Sequence, residues 1–203
     1  FSYTNIFSAS GDLSSLFGNL TIVFMFLVPV LTMRLISEEK NTKTDQLLLT
    51  APIGISKIVL GKVFSAFCVF LITLVLSLVY PIIVSIYSKP PVSELFAVYI
   101  GFFLMGISYI SIGVFISSLT ENQIISAVAT FAILFVLNLI DMLSAVITNP
   151  IITKIISYLS ITNRYADFTD GIVRIDSVIY YLSVSALFVF LTCNQLEKRR
   201  FKK

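Results

Sequence analysis

The chain has 203 residues, of which 57% are hydrophobic and 12% charged, with a mean hydropathy of +0.98 and a formal net charge of +3. Soluble domains carry about 25% charged residues, so a soluble fold of this length could not bury so much apolar surface. The composition therefore predicts an all-α polytopic membrane protein, and the absence of histidine argues against a transition-metal site.

The chain begins at Phe1 and not at a methionine, and residues 1–15 are polar without a basic stretch. The apolar run that follows has no small-residue cleavage pattern, so it does not have the features of a signal peptide. We expect a further segment to precede Phe1 in the intact protein.

Five segments are apolar and long enough to cross a bilayer, for which a helix needs about 20 residues. They are residues 16–36, 57–87, 94–118, 122–140 and 176–195. The second is longer than one span and contains Gly61 and Pro81, which predicts a kink or an extension beyond the membrane. The last begins after Asp176, which we expect to cap it.

The distribution of lysine and arginine predicts the orientation of these spans. Four of the 14 basic residues fall on one side, and the other ten fall in the loop after the first span or in the C-terminal tail. We therefore expect a cytoplasmic C-terminus, with residues 196–203 resting on anionic lipid. A missing first helix would give six spans with both ends inside. The positive charge then reflects topology and not nucleic-acid binding.

The stretch 34–62 is the longest polar connection on the side predicted to be cytoplasmic. Within it, residues 42–50 can form a short amphipathic helix that presents three consecutive leucines, and Pro52 and Gly54 then end it. Ser56 can cap the next helix. An ordinary solvated loop is the alternative, but three leucines in a row are unfavourable without a partner or membrane contact, which favours a docking element.

The short loop from Leu119 to Gln123 has Thr120 three residues before Gln123, which is the spacing of a capping box. That structural role is sufficient to explain the pattern, and any contact with a partner is secondary.

The segment 141–176 does not have the length of apolar sequence that another full span needs. We predict that it forms one or two short helices at the outer interface. Gly171 is placed to end the second of them. Tyr158, Tyr165 and Phe168 have the character of side chains that lie in the headgroup zone.

A few reactive side chains fall within or beside the spans. Asp141, three residues after Asn138, is the only acid interpreted as lying near a helix end within the membrane. It is a candidate for a proton or substrate role, and solvation at the outer interface is the alternative. Cys68 and Cys193 lie in apolar runs and are interpreted as small lipid-buried side chains.

The sequence lacks the motifs of a nucleotide-binding or hydrolytic site. A phosphate-binding loop needs a glycine, four residues, and then Gly-Lys followed by serine or threonine. Gly61-Lys62 is followed by Val63, and Ser56 stands where the first glycine is required. Ser-His hydrolysis is excluded because there is no histidine base and no nucleophile-elbow motif.

Several different short motifs are distributed along most of the chain. The most specific are Met33-Arg34-Leu35, Glu38-Glu39, Thr44, the run Leu47 to Pro52, and Val59-Leu60-Gly61-Lys62; the run Ile112 to Gln123 and Asp167-Phe168 with Gly171 follow later. With these motifs the sequence resembles the ABC-2 family of ABC-transporter permeases, especially the branch of the gliding-motility-associated permeases. That branch usually has a glycine where this sequence has Lys43.

The resemblance implies one transmembrane permease domain over residues 1–203 whose first family span is missing. It implies two permease subunits, as a homodimer or heterodimer, in a bacterial cytoplasmic membrane. A separate ATP-binding cassette subunit would bind ATP and magnesium, so this chain would be no enzyme and would hold no cofactor itself. Export is the implied direction, and the substrate path would cross the lipid bilayer.

The resemblance also implies three groups of functional residues. The ATPase-coupling loop would contain Arg34, Glu38, Glu39, Thr44, Leu47, Leu48, Pro52 and Lys62. A second inner contact would contain Thr120, Glu121 and Gln123. An outer lid would contain Asp141, Tyr165, Phe168 and Gly171.

Three other classes of protein compete with this interpretation. A secondary transporter or channel without an ATPase would need charged or broken helices near the midplane of the membrane, and these spans are almost free of charge. A membrane-embedded enzyme is disfavoured by the missing histidine and the lack of clustered acids. A structural anchor would need neither five spans nor a long inner connection.

Overall fold

The computed structural model describes residues 13–50, 52–79, 81–82, 92–144 and 160–201, which form helices and turns without a strand. We number the helices in chain order as α1 (Leu13–Thr32), α2 (Arg34–Asn41), α3 (Asp45–Thr50), α4 (Ile55–Ser77), α5 (Val92–Leu119), α6 (Gln123–Ser144), α7 (Ile161–Thr169) and α8 (Ile175–Phe201).

Five stretches of helix in the described part of the chain are long and apolar enough to span a membrane. They are Leu20–Asn41, Ile55–Ser77, Leu95–Leu119, Gln123–Ile140 and Ile175–Arg200. The predicted all-α polytopic fold with five spans is therefore confirmed. The first span ends later than predicted because α2 follows α1 with only Met33 between them, and the second is shorter because α4 ends at Ser77.

The end of α4 has an identifiable cause. The chain makes a turn at Leu78, because Pro81 has no N–H to donate and its ring clashes with the carbonyl of Ser77, four residues earlier. The Tyr99 hydroxyl on α5 donates a hydrogen bond of 3.1 Å to that carbonyl oxygen. The interruption expected near Pro81 is thus found at Leu78, whereas α4 runs unbroken through Gly61.

Helix α5 is the centre of the bundle, and 67% of the residues in its apolar membrane-spanning stretch are buried. Each of three glycines on α5 lets a different neighbour approach, because a Cβ atom there would collide with the neighbouring side chain. At Gly101 it would lie 2.6 Å from Phe168 of α7, and at Gly106 it would lie 2.4 Å from the ring of Phe70 of α4. At Gly113 it would lie 2.3 Å from Thr32 Oγ1 of α1.

Helix α8 packs along α5 over much of its length. The Ser108 hydroxyl of α5 is fully buried and donates a hydrogen bond of 3.0 Å to the Tyr181 carbonyl oxygen of α8. Ser185, one turn further along α8, lies 3.3 Å from the same hydroxyl. The interface between these helices therefore contains small polar groups that satisfy one another.

Two predicted helix caps are wrong. Gly54 precedes the first residue of α4, so Ser56 lies inside the helix and caps nothing. Helix α8 begins at Ile175, which places Asp176 in its first turn and not at the cap. There the carboxylate still favours the helix, because it lies near the positive end of the helix dipole.

Candidate functional site

Many of the residues singled out in the sequence lie at one end of the bundle, which we call the tail face because it includes the end of α8. It is formed by α2, α3, the loop 119–122 and the last turns of α8. The opposite face carries α7. The two groups of inner residues predicted from the sequence are therefore close together in space.

Helix α2 is bonded directly to α5 at the interruption at Met33. The buried Ser117 hydroxyl of α5 accepts hydrogen bonds from the backbone N–H groups of Ile36 (3.2 Å) and Ser37 (3.1 Å). It also donates to the Met33 carbonyl oxygen over 3.1 Å. One hydroxyl thus satisfies the backbone groups that the interruption would otherwise leave unpaired.

Two lysines hold α2 to its neighbours. Lys40 is buried, and its ammonium group donates to the Ser118 carbonyl oxygen at the end of α5. Lys62 of α4 forms an ion pair with Glu39 of α2. Glu38 is exposed and forms no ion pair among the described residues. The two adjacent acids of the predicted coupling loop therefore have different environments.

The turn between α2 and α3 centres on Lys43, whose φ of 60° is in the left-handed region. This conformation favours glycine, and Lys43 occupies the position where the resembling permeases usually have one. Hydroxyls on either side stabilise the turn. Thr42 Oγ1 donates to the Glu38 carbonyl oxygen over 2.9 Å, and Thr44 Oγ1 lies 2.9 Å from Thr42 Oγ1.

Helix α3 presents apolar side chains on its outer side. It covers Asp45–Thr50 and is therefore shorter than the predicted 42–50. Leu47 is 76% exposed and Leu48 36% exposed, and Ile53 beyond it is 49% exposed. Pro52 is also exposed in the bend that leads to α4. The predicted helix is thus present with Leu47 and Leu48 facing outward, and the side chain of Leu49 lies outside the described residues. Arg34, at the start of the predicted coupling loop, lies on α2.

Asp45 and Glu121 both pair with one arginine of the tail. Arg199 Nε lies 3.1 Å from Asp45 Oδ2, and Arg199 Nη2 lies 3.1 Å from Glu121 Oε1. The tail was interpreted from the sequence only as a basic stretch on lipid. That interpretation is incomplete, because Arg199 connects α8 to both other segments of the tail face.

The loop 119–122 does not contain the predicted capping box. Asn122 caps α6, since its Oδ1 accepts a hydrogen bond of 2.9 Å from the Ile124 N–H. Gln123 is the first residue of α6, and the buried Thr120 Oγ1 has no hydrogen-bond partner in the described part of the chain. Asparagine is among the best capping residues, and here it lies nearer to the helix start than Thr120 does.

On the opposite face, the aromatic residues of α7 point into the bundle. Tyr165 is 3% exposed and Phe168 fully buried, so the predicted headgroup location is wrong for both. Tyr158 lies outside the described residues. Ile161, Tyr165 and Phe168 have the spacing of one helix face, which explains why they are buried together. Burial, with a smaller contribution from the nearby Tyr99, raises the pKa of Tyr165.

Gly171 ends α7 as predicted. Its φ of 76° is left-handed. The Gly171 N–H donates to the Phe168 carbonyl oxygen (3.1 Å), and the Ile172 N–H donates to the Asp167 carbonyl oxygen (3.0 Å). This pair of bonds is a Schellman motif, in which a glycine satisfies the last carbonyls of a helix and reverses the chain.

Side-chain hydrogen bonds attach α7 to α6 and α8. Thr162 Oγ1 donates to Asn138 Oδ1 over 3.1 Å, and Asn138 Nδ2 donates to the Tyr109 hydroxyl over 3.1 Å. The Tyr181 hydroxyl donates to the Ile161 carbonyl oxygen over 2.6 Å. Asp141 lies on α6 one turn beyond Asn138, and its side chain is outside the described residues.

Comparison with known protein families gives a match over most of the chain. A family model described as ABC-2 family transporter protein matches residues 2–193, which is almost the whole chain. A search of curated proteins gives no significant match.

Proposed function

This chain belongs to the ABC-2 family of transporter proteins, and we propose that it couples ATP hydrolysis on a partner subunit to export of a substrate across the membrane. Proteins of this family are the membrane permease subunits of ABC transporters, and the ATPase activity lies on a separate subunit. ATP and magnesium are therefore assigned to the partner. The observation that carries the proposal is a short helix, α3, on which Leu47 and Leu48 are exposed while Asp45 is held to the bundle.

The proposed docking surface consists of Glu38, Leu47, Leu48 and Ile53. Leu47 is 76% exposed and Ile53 49% exposed, and the exposed Glu38 adds a carboxylate on the adjoining helix. Apolar side chains on a short protruding helix, with a charge beside them, are typical of a helix that inserts into a groove of a partner. This composition supports contact with the ATPase subunit.

A movement of this surface has a short route to α5. Helix α2 follows α1 directly and is bonded to α5 through Ser117. From Ser117 to Gly101, where Phe168 of α7 packs, α5 is one unbroken helix. Those 16 residues correspond to about 24 Å at 1.5 Å per residue. We propose that α5 carries the movement along this distance and that α7 acts as a lid at the far end.

The remaining parts of the proposal concern assembly and orientation. The tail face is assigned to the cytoplasm of a bacterium because most basic residues lie on that side. A second permease subunit, identical or related, is assigned to an apolar side of the bundle. Large apolar side chains are exposed on four of the helices, for example Phe26 (56%), Phe64 (65%), Val128 (63%) and Phe190 (68%), and the second subunit would cover part of this apolar surface.

The experiment that tests the proposal is purification of the intact tagged protein from its own host in mild detergent. We expect an ATP-binding subunit to co-purify and to hydrolyse ATP at a vanadate-sensitive rate. Leu47→Asp should lower the amount of bound ATPase by about tenfold or more, since it would bury an unpaired carboxylate in an apolar groove. Gln46→Glu is the matched control, because Gln46 is an exposed polar residue of the same helix.

Two results would contradict the proposal. If the protein purifies alone and fully folded, the alternative of a transporter or channel without an ATPase is favoured. If Leu47→Asp and Gln46→Glu retain the same amount of ATPase, the subunit docks elsewhere and the role of α3 is wrong.

A further inference from the structure

Four charged side chains from four different segments meet at the tail face. They are Lys40 of α2, Asp45 of α3, Glu121 of the loop 119–122 and Arg199 of α8. The Arg199 guanidinium lies 3.1 Å from a carboxylate oxygen of Asp45 and 3.1 Å from one of Glu121. Lys40 is close enough to interact electrostatically with the other three. Two positive and two negative charges form a neutral cluster.

The members of this cluster differ in burial, and this decides which one the others depend on. The side chain of Asp45 is 8% exposed, that of Arg199 32% and that of Glu121 66%. Asp45 Oδ1 is buried without a hydrogen-bond partner in the described part of the chain. Because a buried carboxylate is costly without a counter-charge, Asp45 depends on Arg199 to keep α3 against the bundle.

The chemistry of arginine suits this position. Its planar guanidinium directs several N–H donors at fixed angles, so Nε can bind one carboxylate while Nη2 binds another. A lysine ammonium is a single point of charge and would not hold both partners in the same fixed arrangement. The residue that joins the three segments is therefore chemically specialised and is not a generic basic residue of a membrane anchor.

Arg199 also sits on a helix that crosses to the opposite face. Helix α8 runs from Phe201 back to Ile175, close to Gly171 at the end of α7. At that end, Ser177 of α8 donates a hydrogen bond of 3.3 Å to Asp167 of α7. Through this contact a displacement of α8 at Arg199 would reach α7, the proposed lid.

We propose that Arg199 is a positioning residue that fastens α3 and the loop 119–122 to α8, so that both move together when the ATPase subunit engages. This inference rests on the proposed function. It adds a second route, along α8, to the route along α5. The tail thereby has a role in transmitting movement to α7 that is separate from docking, since Arg199 is not part of the proposed docking surface.

The test uses the intact complex with its ATPase subunit. In a background where the free cysteines Cys68 and Cys193 are replaced by serine, Asp170→Cys places one thiol in the exposed turn after α7. The rate of its modification by a membrane-impermeant maleimide is measured without nucleotide and after trapping with ATP and vanadate. The bound ATPase and the thermal midpoint are measured on the same samples.

Arg199→Gln should reduce the effect of trapping on the modification rate by about 2- to 30-fold, the range known for residues that couple distant sites. The bound ATPase should fall less than in Leu47→Asp, because Arg199→Gln leaves the exposed side chains of Leu47 and Leu48 in place. Arg200→Gln is the matched control, because Arg200 is the exposed neighbour on the same turn, and its response should be unchanged. Arg199→Lys should recover only part of the response.

The exposed Glu121 provides a variant that does not endanger folding. Glu121→Gln should weaken the effect of trapping on the modification rate while the thermal midpoint stays the same. If the ion pair between Glu121 and Arg199 had only a structural role, these two quantities would not separate in this way. An unchanged response in both Arg199→Gln and Glu121→Gln would overturn the inference. If the parent protein binds no ATPase, or shows no effect of trapping, the proposed function itself fails and this inference fails with it.

Discussion

Ser117→Ala tests whether one hydroxyl fixes α2 to the centre of the bundle. The substitution removes the acceptor of two backbone N–H groups, those of Ile36 (3.2 Å) and Ser37 (3.1 Å). The Met33 carbonyl oxygen keeps a second donor, the Ser37 hydroxyl. Ser117, Ile36 and Ser37 are all buried. At about 1–3 kcal/mol for each buried group left unpaired, the expected loss of stability is about 2–6 kcal/mol.

Ser111→Ala is the matched control for this prediction. Ser111 is also buried on α5, but its hydroxyl only donates to the Ile107 carbonyl oxygen of its own helix (2.8 Å). That carbonyl already accepts the regular helix bond, so its loss leaves no backbone group unpaired. We expect a cost of about 1 kcal/mol or less.

The measurement is equilibrium unfolding of both variants in detergent, followed by tryptic cleavage at the arginines and lysines of the tail face. Ser117→Ala should have the lower unfolding free energy and should be cleaved faster at Arg34. If the two variants agree within about 0.5 kcal/mol, Ser117 does not hold α2, and the route from α2 to α5 would have to be abandoned.

Three further predictions concern backbone conformation and packing, and thermal unfolding measures each. Gly171→Ala should cost about 1–2 kcal/mol, because φ is 76° at this residue. Gly54→Ala is the control and should be nearly neutral, since φ is −66° there and no atom lies within 4 Å of the added Cβ. Equal losses in the two variants would contradict the left-handed conformation assigned to Gly171. Lys43→Gly should stabilise the chain by up to about 1 kcal/mol because φ is 60°, and Lys43→Ala should give no such gain. Gly106→Ala should cost about 1–3 kcal/mol more in the natural chain than in a Phe70→Ala background, because the added Cβ would lie 2.4 Å from the Phe70 ring; additive effects would show that the two do not collide.

The architecture followed from the sequence because its signals are local. The length of each apolar segment predicts a membrane-spanning helix. All five spans are present, with ends that differ from the predicted ones. The role of Gly171 was also predictable, since a glycine after a short amphipathic stretch is a typical helix terminator. The outward-facing leucines of α3 could be predicted for the same reason, as Leu47 and Leu48 lie between a turn and Pro52.

The contacts that join distant segments could not be predicted. The pairs of Arg199 with Asp45 and Glu121 connect parts of the chain whose local patterns do not depend on one another. The hydrogen bonds of the Ser117 hydroxyl to α2 could not be predicted either, because in the sequence Ser117 is simply one small residue within a span. A sequence pattern states what each segment can form alone, whereas these bonds exist only after the helices have assembled.

The aromatic residues of α7 show how a correct pattern can give a wrong location. Tyr165 and Phe168 are amphipathic or apolar residues beside a membrane, which are often found among headgroups. In the folded chain, Gly101 leaves a depression on α5 that the Phe168 ring fills. Packing against this glycine outweighs the interfacial preference, and periodicity could have indicated it, because both residues fall on the same face as Ile161.

The order of the helices along the chain has a consequence for biosynthesis. Helix α5 precedes α8 in the chain, yet the hydrogen bonds between helices that the buried Ser108 hydroxyl of α5 makes are to Tyr181 and Ser185 of α8. In a nascent chain that has not reached Ile175, the side of α5 that carries Ser108 is therefore not yet covered by α8. A product truncated at that stage would leave the Ser108 hydroxyl without its partners on α8, so the insertion of α8 completes this interface.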